Sequence, residues 1–327
     1  MPATGSDAGL GIQKQNSFGT TLVTSMLKVP FVTQGLDRTE DEVFDPALQG
    51  RFDRPDPLPG FIEGGGDIPI SGNPLTIGLF LEAVLGQRAT AIVGSVYQHT
   101  FDPRTTHFDA DYSSLQPYSI AADVGELNTN SLFLYSDCIF NTLEISQNVG
   151  EPLAMTAGIV ARDATFIAKP TFTSYVGNVT PIMFNTFSLS LDGAGIDRME
   201  NFSISINNNV AGAKRLNNTR YAARLMRDGF FEVDFNATID FSNADWLKFK
   251  ANSTFEIIAY WEGLSSISSG YNESLKITLP KCKIKAYPTG VGGPGVVTVP
   301  MTGIAYFHSG SLNAIEAILT NTVASWS

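Results

Sequence analysis

The chain has 327 residues and a formal net charge of −11; 43% of its residues are hydrophobic and only 16% are charged, against roughly 25% charged in an average soluble domain. That balance excludes a nucleic-acid binder that neutralises phosphates with clustered lysine and arginine. No apolar run approaches the ~20 residues of a membrane span, and the polar start MPATGSDAGLGIQKQNSFGT lacks the apolar stretch of a secretory signal. The length suits about two domains, and so little charge points to surface destined to be covered by other chains. Twenty-two Phe with frequent Val, Ile and Thr favour strands, and 30 Gly and 17 Pro supply turns.

In chain order, residues 1–19 are polar and aperiodic and read as a flexible N-terminal arm, and 20–33 form an apolar, β-prone stretch. Residues 37–59 are charged and carry Pro46, Pro55, Pro57 and Pro59, so they read as a long extended loop. Asn73, Pro74 and the apolar run 75–85 predict a helix, with Asn73 as cap and Gly86 as terminator. Its apolar spacing covers most of the circumference, so it is expected to be buried. Segments 141–146, 202–206, 231–239, 255–260, 275–279 and 281–286 read as strands. In the last, Lys281, Lys283 and Lys285 alternate with Cys282, Ile284 and Ala286, which predicts one cationic and one inward face. Residues 207–228 read as a second irregular segment. Ser242 or Asn243 caps a short helix through Trp246, Leu247 and Lys250, and 311–319 fit either a short helix or a strand.

Reactive constellations are lacking. His99, His107 and His308 stand apart from metal-ligand spacing, and no nucleophile elbow or zinc motif occurs. The glycines at 64–66 and 290–295 lack the lysine and the strand-to-helix setting of a phosphate loop. Acidic residues cluster at Asp37, Glu40, Asp41, Glu42 and Asp45, and again at Asp102, Asp109, Asp111, Asp123 and Glu126. Neither spacing fits a calcium loop, and both read as solvated loops or as acids turned toward a channel. Cys138 and Cys282 read as buried apolar side chains without a disulfide. No catalytic, cofactor-binding or metal-binding residue is expected, and the chain reads as a non-enzyme.

The chain also repeats itself. Gly35-Leu36-Asp37-Arg38 returns as Gly195-Ile196-Asp197-Arg198, Gly60-Phe61-Ile62-Glu63 as Gly229-Phe230-Phe231-Glu232, and Ser131-Leu132-Phe133-Leu134 as Ser274-Leu275-Lys276-Ile277. Cys138 returns as Cys282 and Met155-Thr156-Ala157 as Met301-Thr302-Gly303. The order is kept, which points to a duplicated unit at 20–172 and 173–327. Each is expected to be a mainly β sandwich or barrel flanked by one short helix. The first unit has extra material near residues 101–130.

The run from Leu58 through Gly66, continued from Gly72 through Gly86, and the stretch 201–209 with the strand from Gly229 to Phe241 resemble the tail tube proteins of long-tailed bacteriophages. The resemblance implies a structural protein of the virion tail, made in the host bacterial cytoplasm, with no cofactor. It implies rings whose inward strands join into one barrel, stacked into the tube that conducts genome DNA during ejection without binding it. Two units per chain imply a trimer with pseudo-sixfold symmetry. Implied partners are further copies of the chain, a tape measure protein during assembly, and tail terminator and baseplate proteins, with no membrane contact. Segments 37–59 and 207–228 and the N-terminal arm become candidates for contacts between rings. The lysine row 281–285 is expected outside the lumen or in salt bridges between subunits. Two other readings stay open: a tandem β-sandwich adhesin or carbohydrate-binding module using Trp246, Tyr260 and Trp261, and a baseplate or tail-terminator ring protein built on the same unit.

Overall fold

The computed structural model describes residues 5–47, 53–54, 56–105, 115–125, 132–174, 180–216, 218–268, 270–291 and 293–326. Along the chain run β1 (Gly9–Lys14), β2 (Met26–Lys28), β3 (Asp37–Val43), β4 (Leu58–Ser71), α1 (Ile77–Leu85), β5 (Gly86–Val93), β6 (Val96–Pro103), β7 (Tyr118–Asp123), β8 (Leu132–Asn148), β9 (Ala154–Ala161) and β10 (Asp163–Ile167). There follow β11 (Phe172–Ser174), β12 (Phe187–Leu191), β13 (Ala194–Ile196), β14 (Met199–Asn207), β15 (Val210–Ala213), β16 (Arg224–Arg227), β17 (Glu232–Asp240), α2 (Asn243–Lys250), β18 (Phe255–Ser268), β19 (Tyr271–Ala286), β20 (Thr298–Ala305) and β21 (Glu316–Asn321). The protein is mainly β, as its composition predicts.

Eight strands make one continuous antiparallel ribbon in the order β3-β4-β9-β8-β14-β17-β20-β19. Against one face lies a second layer in two parts, β1-β7-β8-β10 and β12-β18-β19-β21. The long strands β8 and β19 belong to both layers. Each changes register near its cysteine. Tyr118 faces Cys138 and Ile120 faces Tyr135; likewise Phe255 faces Cys282 and Ile257 faces Leu279. A bulge then falls at Asn141 on β8 and at Lys285 on β19, which turns each strand from one layer into the other.

The same order of pairing therefore occurs along residues 9–167 and along 187–321. In each, the strand before the helix pairs with the strand that returns from the long one, and the helix contacts that long strand. Aligning the ladders at their bulges places Cys138 on Cys282 and Gly60 on Gly229, in agreement with the sequence matches. It places Met155 on Val299, two residues short of Met301, and Asp37 on Ser205, away from Asp197. Those two matches keep composition but not ladder position.

The core lies between the layers. Ile68, Leu143, Phe202 and Phe235 come from the ribbon, and Leu10, Ile12, Tyr118, Ile257 and Ile277 from the second layer. Every residue of α1 except Glu82 is buried. Six large apolar side chains on it contribute on the order of 10 kcal/mol, an upper estimate. Asn73 does not cap α1 directly: it organises the preceding turn, its Oδ1 accepting the Leu75 N–H at 2.9 Å, and Thr76 takes the cap position. Gly86 ends the helix with φ 86°, its N–H donating to Glu82 O. Ser242 caps α2.

Several expectations change. Residues 9–14, read as part of a flexible arm, are β1, with Leu10 and Ile12 buried. The loop 37–59 contains β3 and the start of β4, and Pro59 lies opposite Glu42 in that ladder. A strand with five charged residues out of seven fits there because β3 is an edge, and Pro59 is tolerated near the start of β4, beyond its ladder with β9. Segment 207–228 contains the β15–β16 hairpin. Segment 311–319 resolves to a turn followed by β21. The hairpin β5–β6 is the described part of the extra material in the first half. It begins upstream of residue 101 and pairs through β6 with β21. Residues 106–114 and 126–131 of that stretch lie outside the described residues.

Gly78 of α1 faces Trp326, whose indole N–H donates to Leu75 O at 2.6 Å. A Cβ at Gly78 would lie 2.1 Å from the indole ring. Gly78→Leu is therefore expected to expel Trp326 at a cost of about 3–5 kcal/mol, comparable with deleting a buried aromatic. A lowered Tm together with red-shifted tryptophan emission would show it; an unchanged Tm would refute the packing.

Candidate functional site

The potentially reactive side chains are each accounted for by the fold. His99 is fully buried against Trp326, ring centroids 4.7 Å apart. Its Nε2–H donates to Val323 O at 2.8 Å and its Nδ1 pairs with the Thr90 hydroxyl at 2.9 Å. Burial pushes its pKa below the ordinary value. His308 shapes a tight turn by accepting the Ser311 N–H. His107, Asp109, Asp111 and Glu126 lie outside the described residues. Asp102 accepts from Asn313 at 2.9 Å, whereas Asp123 pairs with Lys169, so the acidic cluster does not converge. Among the described residues no group of three or more His, Cys, Asp or Glu is placed to hold a metal, and no helix is long and apolar enough to cross a membrane.

Cys138 and Cys282 are free and buried, with burial as the main cause raising both thiol pKa values. Trp261 is fully buried with its ring tilted 37° against Phe187, centroids 4.7 Å apart, while Trp246 packs against the core. The aromatic platform expected of a glycan-binding module is therefore not formed by these residues.

What the fold leaves open is backbone. The ribbon is paired internally from β4 to β20, and its two ends are edges. At one end, every residue of β3 is exposed. Gly35 N–H donates to Asp67 O at 2.9 Å, so by alternation the N–H groups of Leu36, Arg38 and Glu40 point away from β4; in the single chain the Leu36 N–H donates to Gln34 Oε1 at 3.0 Å and the Arg38 N–H to Asp37 Oδ1 at 2.7 Å. This edge carries the acids Asp37, Glu40, Asp41 and Glu42. Glu40 pairs with Arg38 and Arg220, and Asp41 with Lys214 at 3.4 Å.

At the other end, β19 stops its ladder with β20 at Ala286. Cys282 and Ile284 pack inward as the alternation predicts, and Lys285 and Ala286 are exposed. Tyr287 continues into the core, and its hydroxyl is bonded to Ser242 on α2. Lys283 lies in one row with Ile304 and Asp234, on the ribbon face turned away from the core.

The ribbon also contains one seam between its halves, β8 to β14, with Thr142 opposite Asn207 and Ile145 opposite Ile204. Buried Asn208 locks it. Its N–H donates to Asn141 O at 2.8 Å, its side-chain amide donates to Val84 O at 2.9 Å, and its carbonyl accepts from Arg227. The β15–β16 hairpin then crosses onto the first half. Ile62 bridges Tyr221, the Arg220 guanidinium donates to Gly60 O at 2.8 Å, and Lys214 pairs with Glu63 at 2.8 Å.

The described residues thus form a two-layer β fold whose ribbon ends in two charged, exposed edges. The family model for phage tail tube proteins matches residues 5–305, and the chain belongs to that family. It is a structural, non-enzymatic component of the virion tail. No curated protein matches the chain. Sequence reasoning named the family and the lysine row, and it missed β3 as a strand because a strand exposed on both faces has no hydrophobic period.

Burial raises the Asp234 carboxyl above the usual range, and nearby Lys285 only partly opposes this. A raised folded pKa favours the protonated form, so the advantage is complete below the unfolded pKa and lost as pH rises through the folded one. Asp234→Asn is therefore expected to raise Tm at pH 7 and to lose that gain by about pH 3.5. A variant no more stable at pH 7 would contradict it.

Proposed function

We propose that three copies of the chain close into a ring with pseudo-sixfold symmetry, and that stacked rings form the tube conducting the genome. The observation that carries this reading is the ribbon order: strands β3, β4, β9 and β8 are followed by β14, β17, β20 and β19 in the same sequence of pairings. The chain is read as two copies of one unit, at about 9–172 and 184–327, and the β8–β14 seam as the joint between units. Its counterpart at the ends of the ribbon joins β19 of one copy to β3 of the next.

Transferring the seam's register puts Ala286 opposite Thr39 and Tyr287 opposite Arg38. It aims the Glu40 N–H at Lys285 O, as Asn208 is aimed at Asn141. The acidic edge meets the lysine-bearing one, so Lys285 serves as a salt-bridge partner between subunits. Head-to-tail closure removes both edges. The face turned away from the core then lines the lumen, where Asp67 and Glu144 stand among Ser, Thr and Asn side chains; Lys283 lies on the same face, contrary to the expectation for the lysine row, and offsets part of that charge. Negative charge there repels phosphate and lets DNA pass unbound. A tape measure protein, a tail terminator and a baseplate are the partners expected of such a tube.

Electron microscopy and native mass measurement test this. The protein is expected to form rings or tubes with three chains per ring. Arg38→Pro removes one outward N–H from β3 and is expected to leave folded protein that does not form rings. Six chains per ring, or undiminished assembly of the proline variant, would refute the arrangement.

A further inference from the structure

Among the described residues, one surface of the second half lies open where its counterpart in the first half is walled by a hairpin. In the first half, Ile62, Glu63 and Gly65 of β4 and Val160 and Ala161 of β9 line a pocket whose other wall is the β15–β16 hairpin, through Val210, Ala211 and Leu225. Val210 and Leu225 pack with Ile139 and partly buried Val160 in a small apolar cluster. By the ladder alignment, the matching positions in the second half are Phe231, Glu232, Asp234, Ile304 and Ala305. These five line an open groove of about 610 Å³, walled further by Phe230, Phe307 and Leu312 and rimmed by Lys285. Phe230 is 88% exposed, Phe307 61% and Leu312 69%. Apolar side chains grouped at this exposure mark a contact surface.

We propose that this groove receives the far end of the β3–β4 ladder from a second copy of the chain; the proposal rests on the ring described above. The alignment that maps Asn207 onto Thr39 maps Val210 onto Glu42 and Ala211 onto Val43. The occupant thus corresponds in position to the hairpin that walls the first-half site, with the pairing one residue out of step: Val210 faces Arg227, whereas Glu42 faces Pro59. Val43 and Leu58 are partners at the end of that ladder and are 51% and 57% exposed, which gives the occupant an apolar tip.

Charge agrees. Within the chain, cations on the hairpin, Lys214 and Arg220, grip acids on β3 and β4. Between copies the incoming ladder brings Glu42, next to Glu40 and Asp41 that Arg220 and Lys214 hold within their own chain, and Lys285 waits on the groove rim. Glu232 and Asp234 share the groove, and Lys285 lies close enough to Asp234 to act on its carboxyl. Each copy would then hold its neighbour twice, by the backbone seam and by this inserted tip.

A cysteine pair tests the contact directly. Glu42→Cys combined with Ile304→Cys reproduces the place of Val210 beside Val160, and the native thiols are buried and do not compete. Under mild oxidation of the assembled protein, most chains are expected to run as inter-chain covalent oligomers on a non-reducing gel. Either single variant is expected to run as monomer. Phe307→Asp is expected to raise the concentration needed for half-assembly at least tenfold while the monomer stays folded. Rings that assemble without the cross-link, or unchanged assembly of Phe307→Asp, would overturn the docking and leave the ring intact. Unsubstituted protein that remains monomeric at every concentration would overturn both.

Discussion

Backbone hydrogen bonding is the constraint from which the rest of this structure follows. Within the ribbon every strand has a ladder partner on both sides except the two at its ends, β3 and β19. Unpaired edges normally invite indiscriminate pairing. Here their chemistry restricts what can pair. Two β3 strands brought together would set four carboxylates against four, which like-charge repulsion opposes. Two β19 ends would oppose lysine to lysine. The acidic edge against the basic one is the combination left, and it is the head-to-tail one. In the proposed ring, selection of the right partner would thus come partly from what the edges repel.

The two long strands make this geometry stiff. β8 and β19 each cross from one layer to the other at a bulge, so the same strand that holds the outer sheet also holds the ribbon. The helices brace those crossings: Phe80 of α1 meets Phe140 edge-on at 5.8 Å, and Tyr118 meets Phe140 at 5.2 Å. The cysteines lie beside the register changes as small buried side chains where a larger one would crowd the bend.

Much of this could be read in advance, and the reasons for the failures are physical. Strands with one buried face, such as 202–206 and 231–239, announced themselves through alternation, and the helix at 75–85 through its apolar run and closing glycine. β3 did not, because all seven of its residues are exposed and charge hides its extended backbone. β1 was hidden by its glycines: Gly9 and Gly11 alternate with Leu10 and Ile12, which resembles a loop until the buried pair is seen. The candidate surface was half legible. The lysine alternation at 281–285 was visible in the sequence, whereas the groove around Phe307 required knowing which strands are neighbours.

The β5–β6 hairpin has no counterpart in the second half, where α2 leads into β18 across residues 251–254. It extends the outer sheet by pairing with β21, and so breaks the equivalence of the halves on the outside only. A tube built this way would present an inner wall repeating six times per turn and an outer wall repeating three times. Anything that grips the exterior would meet alternating sites, while whatever travels along the bore would meet nearly uniform ones.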